Sequence, residues 1–227
     1  MDKKLSVRDV LAMKRDFYQG TKFDLSKGVA GGPYGDPRRF DGAVSSAYNQ
    51  NNLTDSEMAA GGFERSVSMF RTSYSVVSVS RAASPGNELT KAVVWVAQYA
   101  PHMATYTPVY PAAAVDQAVP PPLSTGSLWR LDKTSGFWRA CTVGNWAAHF
   151  FRYAWPDVVA VQASLEDRAF VQQAAVEAAA HAAIDAGDRA GADQMVADFS
   201  GQAAARYIDE YSELFDNLVS REGLSIF

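Results

Sequence analysis

The stretch from Arg65 to Tyr110 constrains the fold most. It begins RSVSMFRTSYSVVSVSR and ends KAVVWVAQYAPHMATYTPVY. Val67 and Met69 alternate with Ser66 and Ser68, and Val77 and Val79 alternate with Ser78 and Ser80. This period of two sends successive side chains to opposite faces, so the segment reads as strand. Residues 92–96 form a continuous apolar run rich in valine, as expected of a strand covered on both faces. Pro85, Gly86 and Asn87 lie between the two and are turn formers, so the natural reading is a hairpin with a long loop. Such a pair needs cover on at least one face, and the alanine-rich segments downstream can supply it. Arg65, Arg71 and Arg81 punctuate the serine-rich part, with no acidic residue between them.

The flanks read differently. Residues 6–18 predict a helix: Ser6 is a candidate N-cap with Asp9 three residues on, and Val7, Val10, Leu11, Phe17 and Tyr18 share one face. Residues 21–62 are rich in glycine and polar clusters, a loop long enough to suggest function. The prolines at 108, 111 and 120–122 make 108–126 an extended surface connection. Residues 128–131 and 136–142 predict a second hairpin around the turn DKTSG, with Trp129, Phe137 and Trp138 on its aromatic face. Helical patterning follows: 145–155, ending or kinking before Pro156, then 157–186, then 190–221. The expected architecture is therefore α+β, with residues 1–144 as a portion of strands and long loops and 145–227 as an alanine-rich helical segment packed on it.

Composition narrows the function classes. Apolar residues make up 48% and charged residues 20% of the 227, as in an ordinary globular protein. A net charge of −4 without any block of Lys or Arg argues against nucleic acid. No apolar stretch is long enough to span a bilayer, and no signal peptide is visible. One cysteine excludes an intrachain disulfide, which fits a reducing compartment inside the cell. The histidines at 102, 149 and 181 lack metal-ligand spacing, and GVAGGPYGDP lacks the ending of a phosphate loop; neither metal nor other cofactor is expected.

Among candidate residues, Cys141 reads either as a thiol placed before a helix, where the dipole lowers its pKa, or as a small buried residue between aromatics. The second reading is favoured. His102 follows a buried strand, beside Pro101, and is a candidate for a cleft, with a structural or surface histidine as the favoured reading. The arginines are the stronger case. A guanidinium in an apolar, hydroxyl-rich strand must reach solvent or an anion. Arg81 ends the strand at a loop and is the first candidate to hold a carboxylate, with Arg71 second. A structural ion pair is the competing reading.

From DKKLSVRDV through GTKFDLSKGVAGGPYGDP to RTSYSVVSVSR, VVWVAQYAP, YTPVY, FWRACTVGNWA and VQASLEDR, the chain resembles the thiol dipeptidases of the N-terminal-nucleophile hydrolase superfamily, the bacterial dipeptidase A and secernin group. The part resembled is their C-terminal half. The resemblance implies a four-layer αββα sandwich. It also implies peptide-bond hydrolysis by an N-terminal cysteine whose own α-amine is the general base. This chain begins MDKK, so the nucleophile is expected on an N-terminal half or companion chain. No catalytic residue is expected in this chain itself, only cleft-lining Arg81, Arg71 and His102. The family pattern resembles SYSVVSQSR, where Val79 stands here for glutamine, and Ala104 stands for a serine before YTPVY. The implied partners are the nucleophile-bearing chain, a dipeptide and a larger assembly. A non-catalytic structural or assembly subunit derived from the same family is the alternative.

Overall fold

The computed structural model describes residues 4–38, 66–84, 86, 88–114, 116 and 118–223. Arg65, the polar cluster at 49–52, Pro85 and Asn87 lie outside the described residues. The centre of the fold is a three-stranded antiparallel sheet: β1 (Tyr74–Ser80), β2 (Ala92–Gln98) and β3 (Thr107–Val109), in that spatial order. The pairing of Val77 with Trp95 and of Trp95 with Pro108 fixes the register. Val77, Val93, Trp95 and Ala97 form one face and are buried. Trp95 stacks on Phe170, with ring centroids 4.1 Å apart. The opposite face is bare along β1, where Tyr74 is 68% and Val76 38% exposed.

The expected strand at 66–69 is absent, and β1 starts at Tyr74. Residues 66–73 are instead fastened by polar contacts. The Ser68 N–H donates to Asp16 O at 2.9 Å, and Ser66 Oγ donates to Ser68 O at 2.7 Å. Serine side chains that bond nearby backbone compete with a strand ladder, so alternation alone was not enough here.

Helix α1 (Val7–Lys14) carries the expected capping box, with Ser6 Oγ accepting from Asp9 N and the Asp9 side chain accepting from Ser6 N. It stops four residues before the predicted end. Asp16 Oδ1 takes the N–H of Tyr18 at 2.6 Å and Gln19 Oε1 takes that of Phe17 at 2.9 Å, and Tyr18 turns to a φ of 66°. The glycine-rich loop beyond contains one short helical turn, α2 (Gly28–Gly31).

A short turn, α3 (Pro121–Ser124), leads to the main departure from the sequence expectation. Residues 136–142 do not form a hairpin strand; they open helix α4 (Gly136–His149). Only an isolated bridge between Ser127 and Arg130 remains of the second hairpin. The aromatic, β-branched run FWRACTV favours a strand locally. The buried positions Gly136, Ala140, Val143, Gly144 and Ala147 nevertheless recur at helical spacing, and small residues let the helix approach closely. At Gly144 a Cβ would lie 2.5 Å from Tyr99, so only glycine admits that contact.

The chain breaks at Phe150, not at Pro156. Helix α5 (Phe151–Asp185) runs through the proline in its second turn. The break forms where the glycine-rich loop meets the helix: Arg152 N donates to Tyr34 O at 2.9 Å, and the Tyr34 and Phe150 rings are in contact. After Gly187, helix α6 (Arg189–Gly223) packs antiparallel on α5 and crosses β3 and α4. Its residues Tyr207, Tyr211, Leu214 and Leu218, at helical spacing within the predicted 190–221 segment, form a buried stripe. Among the described residues, no helix is long and apolar enough to cross a membrane.

Candidate functional site

The segment between β2 and β3 is the polar heart of the molecule. Residues 101–106 comprise a 3-10 turn (Pro101–Met103) and a short extension, and every one of them is buried. Buried irregular backbone must find partners for its carbonyl and N–H groups. Side chains from three helices provide them. Arg15, just past α1, donates to Pro101 O and Ala104 O, each at 3.1 Å. Gln162 of α5 donates to His102 O and Ala104 O, each at 3.0 Å, and Tyr211 of α6 donates to Met103 O at 3.0 Å. Glu166 of α5 accepts from Tyr106 N at 2.8 Å and pairs with both terminal nitrogens of Arg15. Sequence reading missed Arg15, Gln162, Glu166 and Tyr211. Their only signal was polar residues on otherwise apolar helix faces, and their shared target is set by tertiary packing.

His102 sits inside this segment at 2% exposure, ringed by Phe17, Phe151 and Trp155. Ser68 Oγ accepts the His102 backbone N–H at 2.8 Å and lies 2.8 Å from Nδ1. The Ser68 hydroxyl thus holds both the backbone and the ring of His102 through one oxygen. Burial, reinforced by the charges of Arg38 and Arg15, pushes its pKa down to about 3. Such a ring is a fixed, uncharged element of the core at neutral pH.

Arg81 meets a carboxylate, and the carboxylate belongs to the same chain. Its Nη2 donates to Glu177 Oε1 of α5 at 2.9 Å and its Nη1 to Thr90 O at 2.6 Å. Tyr110 Oη and Gln173 Nε2 converge on the same Glu177 oxygen, at 2.7 and 2.9 Å. Arg71 is exposed, with its guanidinium over the Phe70 ring, and among the described residues no carboxylate reaches it. The three sequence candidates do not share one cleft. Arg81 follows the last residue of β1, whereas Arg71 and His102 flank the opposite end of the hairpin, where Tyr74 pairs with Gln98. Seven residues of strand separate the two ends, roughly 20 Å.

Cys141 lies in the second turn of α4, not before a helix. Burial raises its pKa, only partly offset by the Asn145 amide, whose Nδ2 is 3.2 Å from Sγ, and by Arg38. It is a half-buried thiol against Trp138, Trp146 and Phe215, as the favoured reading expected. Among the described residues, no group of His, Cys, Asp and Glu is placed to hold a metal ion.

A small antiparallel sheet is backed on one face by two long helices, and its buried β2–β3 connection is held by side chains, a mixed α and β architecture. The model of peptidase family C69 matches residues 1–164, from the start of the chain to the middle of α5, and the chain belongs to that family. No curated protein matches the chain.

Proposed function

We propose that this chain is the C-terminal portion of a thiol-dependent dipeptidase whose N-terminal cysteine nucleophile is carried on a companion segment. In the assembled enzyme the thiol attacks the scissile carbonyl, and the α-amine takes its proton and passes it to the leaving amine. Water then releases the acyl group. The α-amine suits this exchange because its pKa lies near ~8. Membership of a peptidase family supports the reaction class. The observation that carries the division of labour is the bare face of β1. Tyr74 and Val76 stand exposed there while the inner face of the same strand is sealed. A sheet apolar on both sides seeks cover on both, and a second sheet layered on this face would complete a sandwich of the αββα kind. The single cysteine of the 227 residues, Cys141, has the raised pKa and helical setting of a structural thiol, which supports placing the nucleophile elsewhere.

Intact-mass analysis of native complexes, followed by a dipeptide panel assay, tests the reading. A companion chain beginning with cysteine, and hydrolysis that requires it, are expected. Peptide hydrolysis by this chain alone, lost in Cys141→Ser, would sink it. A complex in which no peptide is cleaved would favour the structural-subunit alternative.

A further inference from the structure

Where β1 begins and β2 ends, the open face of the sheet runs into a groove walled by Tyr74, Val96, Leu123, Leu128, Phe137 and Trp138. Two polar atoms of groove-lining residues, Ser135 Oγ and Gln98 Oε1, are buried with no hydrogen-bond partner among the described residues. Ser135 is fully buried and occupies the N-cap position of α4, yet its hydroxyl makes no capping bond. The backbone N–H groups of Gly136, Phe137 and Trp138, the first turn of that fourteen-residue helix, also have no acceptor among the described residues. Gln98 is held by its own Nε2, which donates to Leu123 O at 3.1 Å, so Oε1 is the end left over. That oxygen crowds the helix start: a Cβ at Gly136 would lie 2.7 Å from it.

These groups form a matched set. A helix N-terminus with free N–H groups and a hydroxyl beside it suits a carboxylate. An unpaired carbonyl oxygen next to them suits an amide N–H, and the apolar walls suit a hydrocarbon side chain. Burying donors and acceptors unpaired is costly, and a ligand with the complementary pattern relieves the cost. We infer that this groove is the subsite for the carboxyl-terminal residue of a peptide substrate. The terminal carboxylate lies against the start of α4 and Ser135, the preceding amide N–H on Gln98 Oε1, and an apolar side chain between Leu128 and Trp138. The inference rests on the peptidase reading above and adds how the substrate is held and which substrates fit: short peptides with a free carboxyl end and an apolar last residue.

The test is calorimetric titration of the full chain with alanyl-leucine and with the same dipeptide capped as its terminal amide, with hydrogen–deuterium exchange to locate the contact. The acid is expected to bind and the amide to bind at least about tenfold more weakly, the effect of losing a hydrogen-bonded charge. Amide protection is expected at residues 136–138. Ser135→Ala is expected to weaken the acid about tenfold and leave the amide unchanged. Equal affinity for acid and amide, protection only elsewhere, or no binding overturns the subsite. If the variant does not fold, the acid and amide pair on the unaltered chain still decides. Hydrolysis is not read in this experiment. Binding here, with no cleavage by any native complex, therefore overturns the peptidase reading alone. Cleavage by a complex whose kcat/KM is insensitive to Ser135→Ala overturns the subsite alone.

Discussion

Arg15 Nη1 donates to Glu166 Oε2 at 3.0 Å across 151 residues of chain, and Nη2 reaches the other carboxylate oxygen. Both side chains are largely buried, at 15% and 9% exposure. The pair links the end of α1 to the middle of α5, and both partners also bond the backbone between β2 and β3. Removing one partner strands a buried charge and orphans buried backbone groups. Glu166→Leu is expected to destabilise the fold by about 3–5 kcal/mol. Glu166→Gln, which keeps an acceptor for Tyr106 N, is expected to cost less, about 1.5–3 kcal/mol. Urea denaturation of the two variants checks the order; equal, small losses would show that the pair is dispensable.

His102 predicts a pH dependence of stability. Its pKa is about 3 when folded and 6.5 when unfolded, so between these values the unfolded chain binds one proton more. The stabilisation is complete above pH 6.5 and is lost as pH falls toward 3, at about 1.4 kcal/mol per pH unit. His102→Gln is expected to flatten the slope between pH 6.5 and 5, where most carboxylates remain ionised. A slope identical to that of the unaltered chain would mean that His102 titrates normally in the fold.

Arg81→Lys separates a structural arginine from one that binds substrate. The geometry gives Arg81 two partners within the chain, Glu177 Oε1 and Thr90 O, and lysine cannot keep both bonds in the same plane. Arg81 is more than a third exposed, so solvent screens the ion pair. A loss of about 0.5–1.5 kcal/mol in stability is expected, with activity per folded molecule of the assembled enzyme unchanged. A tenfold fall in kcat/KM at unaltered stability would restore Arg81 to the substrate site.

The bare face of β1 predicts self-association of the chain in isolation. Val76→Lys places a charge in the middle of that face and is expected to shift the isolated chain toward monomer in sedimentation velocity, with little change in melting temperature. A wild-type chain that sediments as a monomer at high concentration would remove the main support for a covering partner.

Cys141→Ser is expected to leave the peptidase activity of a native complex intact. At neutral pH, thiol reagents should modify Cys141 more slowly than a free cysteine, because burial raises its pKa. Rapid modification that also abolishes activity would place Cys141 near the reacting atoms.

What the sequence determined by itself is what local physics writes into neighbouring residues. The alternation of residues 74–80 and the apolar run after Lys91 specify the β1–β2 hairpin. Ser6 and Asp9 specify the start of α1. The aromatic and leucine spacing from Tyr207 to Leu218 specifies the buried stripe of α6. The resemblance carried by GTKFDLSKGVAGGPYGDP and SYSVVSVSR anticipated the peptidase family, because long motifs survive in the residues themselves. Tertiary structure decided the rest. FWRACTV became helix because Gly136 could nest against Tyr207 and Gly144 against Tyr99 and Met103, a gain that no local propensity encodes. The helix break fell at Phe150 because the Tyr34 carbonyl was there to accept an N–H. Arg81 found Glu177, and Arg15 found Glu166, over separations of 96 and 151 residues. The partner of a charge is chosen by which surfaces pack together, and packing is a property of the whole chain that no short window of sequence contains.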